Sequence, residues 1–593
     1  MKFNIKTYCL LLIDFLIFFL VLATSNFILE LQIKNLIIYC GSGLFSLIIL
    51  YVFGVYSSVQ SELNLGEDYW KFLFGSLINS IIVYVFCKNI VLSSLSFIFT
   101  FLLFLLSRNL WKLYNQIKFS KKNPENVAIF GAGNAGAKLA KVLQVIKEKR
   151  IIFFIDDNEN LHGRRTNGIP IISRKEIKSM IKENHINEIV IAIPSLENIQ
   201  KEEIIKFLSS FPVALRSAPN LKEISSGKSI DNLENITLEE ALGRNPVEPN
   251  HNLIKECISM KTVLVTGGGG SIGSELCRQI LKAKPENLLI LDSSEFSLYK
   301  IDKELKEEFS KIKIRSYLGS VTDDKFIKNV FKANKIDVIF HAAAYKHVPL
   351  VEENIIEATK NNINGMLVIS KNAEEYGVKN FVLVSSDKAV RTTNVMGATK
   401  RICELILQAK SDLSDDIKFS MVRFGNVLNS SGSVVPLFKK QIIEGGPLTL
   451  THKDITRYFM TIEEAAQLVI QSASLSEGGD VFVLDMGDPI RIYDLAKFLI
   501  YSSGFQINGE TKNNNRKTIE IKEIGLRPGE KLFEELIIDE NALSTAHPKI
   551  MKAKEGYISW DLLKEKLQRI NKIIENNNDV LLKEFLLELA HHD

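Results

Sequence analysis

Residues 262–273 read TVLVTGGGGSIG, and the fold follows from this stretch. The β-branched run Thr262–Thr266 predicts a strand, Gly267-Gly268-Gly269-Gly270 a tight turn, and Ser274–Leu281 a helix. Glycines at such a turn let the backbone approach a pyrophosphate, which the free N–H groups of the helix N-terminus then hold. Leu288–Leu291 predicts the next strand, and Asp292 ends it. A carboxylate there accepts hydrogen bonds from both ribose hydroxyls and repels a 2′-phosphate, which favours NAD over NADP. Asp337–Phe340 predicts another strand, leading into His341-Ala342-Ala343-Ala344, where small side chains let the backbone lie against a cofactor. The expected fold class of this part is α/β, with a Rossmann-like parallel sheet.

Further along the chain, Phe381–Ser385 predicts a strand that delivers Ser386-Asp387-Lys388 at its end. Lys400 follows within Met396-Gly397-Ala398-Thr399-Lys400. The spacing Gly267-x-x-Gly270-x-x-Gly273 resembles that of short-chain dehydrogenase/reductase sheets. In that superfamily a Tyr-x-x-x-Lys puts both side chains on one helical face, and the phenol moves a proton during hydride transfer. Here the Tyr position holds Met396, which transfers no proton. A plain Tyr-dependent dehydrogenase or epimerase is therefore disfavoured, while Lys400 remains suited to anchor a nicotinamide ribose.

Toward the N-terminus, the connector Arg244-Asn245-Pro246-Val247-Glu248-Pro249 divides this region, residues 246–593, from a smaller α/β region, residues 119–245. In the smaller region Val127–Phe130 predicts a strand, GAGNAG at 131–136 a turn, and a helix follows to about Val145. Ile151–Ile155 then ends in Asp156-Asp157, and further strands are expected at Glu188–Ile193 and Pro212–Ser217. The pattern fits a dinucleotide site, but the same glycines serve tight helix–strand packing, so a ligand and a structural or regulatory role both stand. It carries no catalytic constellation.

Residues 1–118 hold four apolar blocks, Tyr8–Leu29, Leu36–Tyr56, Phe72–Cys87 and Ile90–Leu106. About 20 apolar residues cross a ~30 Å hydrocarbon layer, so the blocks predict transmembrane helices, the last two as a hairpin with Lys88 snorkelling. A cleaved signal peptide is disfavoured for the first block because three more follow. Asp14 inside that block is expected at a helix-packing or near-interface position. Lys2, Lys6, Lys71, Arg108, Lys112, Lys118, Lys121 and Lys122 fall on one side, against Lys34 and Lys88 on the other. The positive-inside rule then puts the α/β regions in the cytoplasm. These blocks explain a mean hydropathy of +0.08 over 593 residues. Residues 1–118 carry eight Lys/Arg against five Asp/Glu, most of the chain's net charge of +4, so nothing basic remains elsewhere to suggest nucleic acid. Six scattered cysteines form no CxxC pair, which fits a reducing compartment and no structural metal site.

The stretches ALGRNPVE (241–248), VLVTGGGGSIGSEL (263–276), HAAAYKHVP (341–349), VSSDKAV (384–390), TNVMGATKR (393–401), VRFGNVLNSSGSVVPLF (422–438), THKDITRYFMTIEEA (451–465) and LRPGEKLFEEL (526–536) carry a specific resemblance. Together they resemble the membrane-bound bacterial nucleotide-sugar 4,6-dehydratases of glycan and protein-glycosylation pathways, particularly those acting on UDP-N-acetylglucosamine. Met396 resembles one branch of them. The resemblance implies an extended short-chain dehydrogenase/reductase fold and an NAD cofactor at Gly267, Gly270, Ser271, Ile272, Gly273, Asp292, Ala342, Ala343, Ala344, Asn362 and Lys400. It implies sugar-nucleotide contacts at Lys346, Arg423, Asn426, Arg457, Arg527 and Glu530. Ser386, Asp387 and Lys388 are the expected catalytic residues. Ser386 would bond the hexose O4, and Asp387 would take the O4 proton and later protonate O6. Lys388 would be the C5 base, its neutral form favoured by NAD⁺ and Lys400 nearby. His347 is expected to be structural, and the acids of EEL at 534–536 helix-face or loop contacts. Ser320 and Asn429 depart from the family pattern, at an adenine contact and in a substrate loop. The tail from Ser559 is expected as a packing helix, and the catalytic domain as a homo-oligomer. The expected partners are UDP-N-acetylglucosamine and membrane lipid, and the expected reaction retains the configuration at C5. A C5-inverting dehydratase, a 4-epimerase and a non-catalytic membrane sensor or scaffold are the alternatives.

Overall fold

The computed structural model describes residues 5–28, 44–45, 48, 65–119, 124–145, 149–194, 198–219, 233–243, 248–509, 517–536 and 542–591. The chain divides into two compact units, residues 1–124 with 146–148 and residues 125–145 with 149–593.

The first unit contains the helices Ile5–Ile28, Leu65–Cys87 and Ile90–Phe119. Ile90–Ser107 is long and apolar enough to cross a membrane, with a mean hydropathy of 2.4, whereas the apolar stretches Leu12–Val21 and Leu73–Val85 are shorter. The expected hairpin is present, turning at Lys88-Asn89 with the Asn89 side chain accepting from the backbone N–H of Val91 and Leu92. Its polar groups face inward, where Asn79 Nδ2 donates to Thr100 Oγ1 at 3.3 Å and the Ser80 and Ser93 hydroxyls meet at 2.8 Å. Leu12, Leu16, Phe74, Ile81, Ile98 and Leu102 are exposed. Asp14 is buried in this unit, which fits a packing position. The block Leu36–Tyr56 lies almost entirely outside the described residues.

The second unit begins with a seven-stranded sheet in the order Arg165–Thr166, Ile169–Ile172, Lys149–Ile155, Glu125–Phe130, Glu188–Ile191, Ala214–Ser217, Glu234–Asn235. Its Gly131 turn carries φ of +107°, and a Cβ on Gly136 would stand 1.9 Å from the Gly131 carbonyl oxygen, so these glycines are demanded by backbone packing alone. Asp156 accepts from the Ala132 N–H at 2.8 Å.

This lobe and the next share one apolar core. Ile189, Leu215 and Ile236 belong to the same buried cluster as Val435, Phe438, Leu495 and Phe498. Asn429, in the left-handed region at φ 58°, donates to Glu239 across the two lobes at 3.0 Å.

The larger lobe is built on a nine-stranded sheet, its strands numbered in chain order: β1 Thr262–Thr266, β2 Asn287–Asp292, β3 Lys313–Leu318, β4 Val338–His341, β5 Asn380–Val384, β6 Lys418–Arg423, β7 Asp480–Leu484, β8 Leu543–Ser544 and β9 Ile550–Ala553. The spatial order is 3-2-1-4-5-6-7-9-8, with β1 to β7 parallel and β9 antiparallel to both its neighbours. The 3-2-1-4-5-6 order is that of the Rossmann fold, with the ligand crevice at the carboxyl ends of β1 and β4. The expected tail helix is instead two helices, Trp560–Glu575 and Asp579–Ala590, broken at Asn576–Asn578. Their apolar faces (Leu567, Ile570, Phe585, Leu586) are consumed in this chain's own core.

Between the tail and the sheet runs the helix Val395–Ser411, buried from Val395 to Lys410. A helix so placed must pair any charge it carries. Arg423 at the end of β6 donates through Nε to Glu404 Oε1 at 2.8 Å and through a terminal nitrogen to Glu555 Oε2 at 2.8 Å. Arg401 lies 3.2 Å from Glu404 and 3.3 Å from Glu555. Ser385 Oγ donates to Glu404 Oε1 at 2.6 Å. Burial by itself raises the Glu404 pKa, yet Arg423, Arg401 and the Ser385 hydroxyl outweigh it and hold the carboxyl below its ordinary value.

A carboxylate depressed in the fold stabilises it above its unfolded pKa and loses that contribution as pH falls through the folded value. Denaturant titrations of the wild type should therefore show Glu404-dependent stability at neutral pH that disappears on acidification below its ordinary 4.5. Glu404→Gln should cost about 3–5 kcal/mol at neutral pH, the scale for orphaning a buried charge, and less in acid. An unchanged denaturation midpoint at neutral pH would show the cluster to be energetically idle.

Candidate active site

Two adjoining cavities open at the carboxyl ends of the sheet. The first, of about 600 Å³, is lined by Gly267, Gly270, Ser271, Ile272 and Gly273, by Ala342 and Ala344, and by Ser386, Met396 and Lys400. Gly267 has φ of +66°, and a Cβ on it would stand 2.7 Å from the Ala343 nitrogen. Any side chain would therefore part the turn from β4, which is why Ala343 packs under the glycines without lining the cavity. The helix Ser271–Lys282 starts at this opening. Asp292 sits at the end of β2 as expected, its carboxylate accepting from Gly269 N–H at 2.9 Å and Ser294 N–H at 2.8 Å. Lys400 Nζ donates to the Val384 carbonyl at 2.9 Å. A side-chain-free turn, helix N–H groups and the Lys400 amine in one cleft fit a dinucleotide, while Asp292 stands behind the glycine turn and lines neither cavity.

Asn362 acts one layer behind. It lies in a π-helical turn, Lys360–Asn364, and is buried. Its side chain accepts from Tyr345 N–H at 2.8 Å and donates to the Tyr345 carbonyl at 3.1 Å and to Thr399 Oγ1 at 3.0 Å. It pins the Ala344-Tyr345-Lys346 loop to the Lys400 helix. Ser320, the departure near the expected adenine contact, bonds Thr322 Oγ1 at 2.8 Å.

The second cavity, of about 350 Å³, is lined by Lys346, Asn426, Arg457, Arg527 and Glu530 together with Glu534. Five of the six expected sugar-nucleotide residues thus converge. The sixth, Arg423, does not: it is fully buried in the Glu404–Glu555 cluster and lines neither cavity. Its position in VRFGNV next to Asn426 made it look like a ligand contact, whereas alternation along β6 turns it into the core. Arg457 donates to Glu530 at 3.2 Å, and Arg527 N–H to the same carboxylate at 3.2 Å. His347 packs against Gly432, where a Cβ would meet its ring at 2.5 Å.

Lys388 lines both cavities. Ser386 Oγ donates to Asp387 Oδ1 at 2.9 Å, and Lys388 Nζ donates to the same oxygen at 3.0 Å. Glu534 Oε1 stands 3.4 Å from Lys388 Nζ and 3.6 Å from Arg457 Nε. The help toward a neutral Lys388 expected from NAD⁺ and Lys400 is opposed by two nearer carboxylates. Burial pushes the ammonium toward neutrality, but Asp387 and Glu534 outweigh it and hold Lys388 above the usual lysine pKa. Lys346 is pushed the other way, by desolvation and then by Lys388. Glu534, expected as a helix-face or loop contact, lies in a loop and lines the second cavity, a place in the site that sequence reasoning did not give it. Its one signal was adjacency to LRPGEK.

Residues 263–555 match a family model described as polysaccharide biosynthesis protein, and residues 123–208 match one described as C2185-like, N-terminal. The chain is 37% identical over 562 residues to the capsular polysaccharide biosynthesis protein CapD of Staphylococcus aureus, covering 92% of this chain and 90% of that protein. It is 42% identical over 453 residues to the probable polysaccharide biosynthesis protein EpsC of Bacillus subtilis, covering 75% and 74% respectively. A UDP-N-acetylglucosamine 4,6-dehydratase (inverting) of Campylobacter jejuni is 30% identical over 349 residues, 56% of this chain and 98% of that enzyme. With agreement running through nearly its whole length, the chain belongs to the polysaccharide biosynthesis protein family, within the extended short-chain dehydrogenase/reductase superfamily.

Proposed function

We propose that the protein is an NAD-dependent 4,6-dehydratase of UDP-N-acetylglucosamine, forming a 4-keto-6-deoxy sugar nucleotide early in the synthesis of a modified sugar for a surface glycan or glycoprotein. The observation that carries this reading is Lys388 at the junction of the two cavities, beside Ser386 and Asp387, with Met396 in the Tyr position. The N-terminal helices anchor the enzyme in the bacterial inner membrane as a multi-pass segment, with both α/β lobes cytoplasmic.

Gly267, Gly270, Ser271, Ile272, Gly273, Asp292 and Lys400 hold the dinucleotide. When bound, NAD⁺ supplies a reversible hydride acceptor for C4 and a donor for C6. Asn426, Arg457, Arg527 and Lys346 meet the uridine diphosphate, the guanidinium fork suiting a phosphate. Ser386 lines the first cavity but Asp387, almost wholly buried, lines neither. The O4 proton therefore passes to the Ser386 oxygen while the Ser386 proton moves to Asp387, along the 2.9 Å contact already formed. A ketone at C4 acidifies C5–H, and the Lys388 amine is the base that removes it. Because one lysine both takes and returns that proton from one face, C5 keeps its configuration. The inverting name of the Campylobacter relative supports the opposite outcome, with protonation from the other face. Deuterium incorporation and C5 configuration, read by NMR on product made in D₂O, decide between them.

Purified full-length enzyme should convert UDP-N-acetylglucosamine to a product lighter by one water, measured by mass spectrometry. Asp387→Asn and Lys388→Met should each lower turnover by roughly 10²–10⁴-fold, the usual worth of a positioned acid or base. A product of unchanged mass would point to epimerisation, and full turnover by both variants would refute the residue assignment. Bound NAD without turnover of any UDP-sugar would favour a sensor.

A further inference from the structure

The mechanism above leaves Lys388 with one proton too many and the departing O6 with one too few. Lys388 is held as an ammonium between two carboxylates, so it must shed a proton before it can attack C5–H. The two carboxylates are not equivalent. Asp387 lines neither cavity. Glu534 lines the same cavity as Lys388, Asn426 and Arg457, its side chain only 4% exposed. Its Oε1 is shared between Lys388 and Arg457, while its Oε2, like Asp387 Oδ2, is buried and has no hydrogen-bond partner, so it is the cavity lining that sets the two apart. A buried carboxylate oxygen without a donor is costly unless a ligand supplies one. A sugar hydroxyl in that cavity is such a donor.

We propose that Glu534 is the general acid for the C6 hydroxyl, relaying to it the proton that Lys388 must lose; this rests on the 4,6-dehydratase reading. The balance closes. An N–H bond of the Lys388 ammonium breaks and an O–H bond forms on Glu534. The neutral amine takes the C5 proton, and the C5–H electron pair becomes the C5–C6 double bond as C6–O6 breaks. The Glu534 proton joins O6, and water departs. After hydride reaches C6, Lys388 returns its proton to C5. Asp387, 3.0 Å away and carrying the proton taken from O4, recharges it. All three groups finish in the state in which they began, and nothing is oxidised or reduced in the proton steps themselves. Asp387 is thereby relieved of the second duty expected of it, protonating O6.

The test uses the full-length enzyme with UDP-N-acetylglucosamine and with its 6-deoxy-6-fluoro analogue, whose fluoride leaves without a proton. Glu534→Gln should lower water loss by roughly 10²–10⁴-fold, whereas fluoride release from the analogue should fall far less and approach the wild-type rate as pH rises. Asp387→Asn should fail on both substrates. In Glu534→Gln the rate of fluoride release should rise with pH, because Lys388 must now lose its proton to solvent; the wild type should lack that limb. Unimpaired water loss, or an equal loss on both substrates by a variant with a wild-type melting curve, overturns the assignment. Should Glu534→Gln fail to fold, Glu534→Ala with added formate replaces it: restored water loss supports the acid role, and no restoration overturns it. Absence of a 4-keto-6-deoxy product from the wild type would instead overturn the dehydratase reading itself.

Discussion

The Arg423–Glu404 pair holds the larger lobe in working order. Glu404 binds Ser385, the residue preceding Ser386-Asp387-Lys388, and sits one helical turn beyond Lys400. Arg423 ends β6 immediately before the Phe424-Gly425-Asn426 loop and also clasps Glu555. One ionic knot therefore sets the Ser386–Lys388 loop, the helix of Lys400, the loop leading to Asn426 and the segment leading to the tail helices. Burying four charges gains little over well-packed apolar side chains, but it makes any one partner's loss expensive and admits one arrangement of the elements that carry them. Here that arrangement is what places groups from β5, β6 and the buried helix around one cleft.

Outside that knot the site has its own alternation of charge: Asp387, Lys388, Glu534, Arg457, Glu530. Each cation is held by carboxylates on both sides, so the cavity stays folded around charges that have no substrate to meet. On the proposed reading an arriving diphosphate would compete with Glu530 for Arg457, trading one charge-assisted contact for another. Lys388 and Glu534 stand 3.4 Å apart, the contact through which the proposed proton transfer would run. The sequence order 387, 388, 457, 530, 534 shows why the topology is needed, since three separate segments after β5, β6 and β7 contribute.

The glycine turn, Asp292, the alanines after β4 and the Ser386-Asp387-Lys388 run were legible in the sequence because each is local: strand, turn and helix signals lie within a few residues of the group they position. The Rossmann order of β1 to β7 follows from the same alternation of elements. Arg423 was not legible, because a guanidinium in a matched loop looks alike whether it faces phosphate or a buried carboxylate 132 residues away. Glu534 was legible only as a helix-face or loop contact, because nothing in Glu-Glu-Leu after Leu-Phe marks a loop carboxylate that meets both Lys388 and Arg457. Nor does any one-dimensional pattern show that the two α/β lobes share a core, as the joining residues, Leu215 and Phe438 among them, are ordinary apolar positions in each lobe taken alone.

The exchange of Tyr for Met396 ties these strands together. Met396 is buried and lines the first cavity beside Lys400, so it keeps the shape of the cofactor site while removing its proton carrier. A phenol at that position would serve O4 from the helix. Without it, the proposed reaction would draw its proton handling from the end of β5, where Ser386 reaches the cavity and Asp387 stands behind it. That shift concentrates one carboxylate and one ammonium on a single loop, and a loop carrying both in a buried place needs a firm foundation. Ser385 bonded to Glu404 supplies it. The loss of one hydroxyl on the helix and the buried ionic knot beneath the loop are, on this view, two parts of one design.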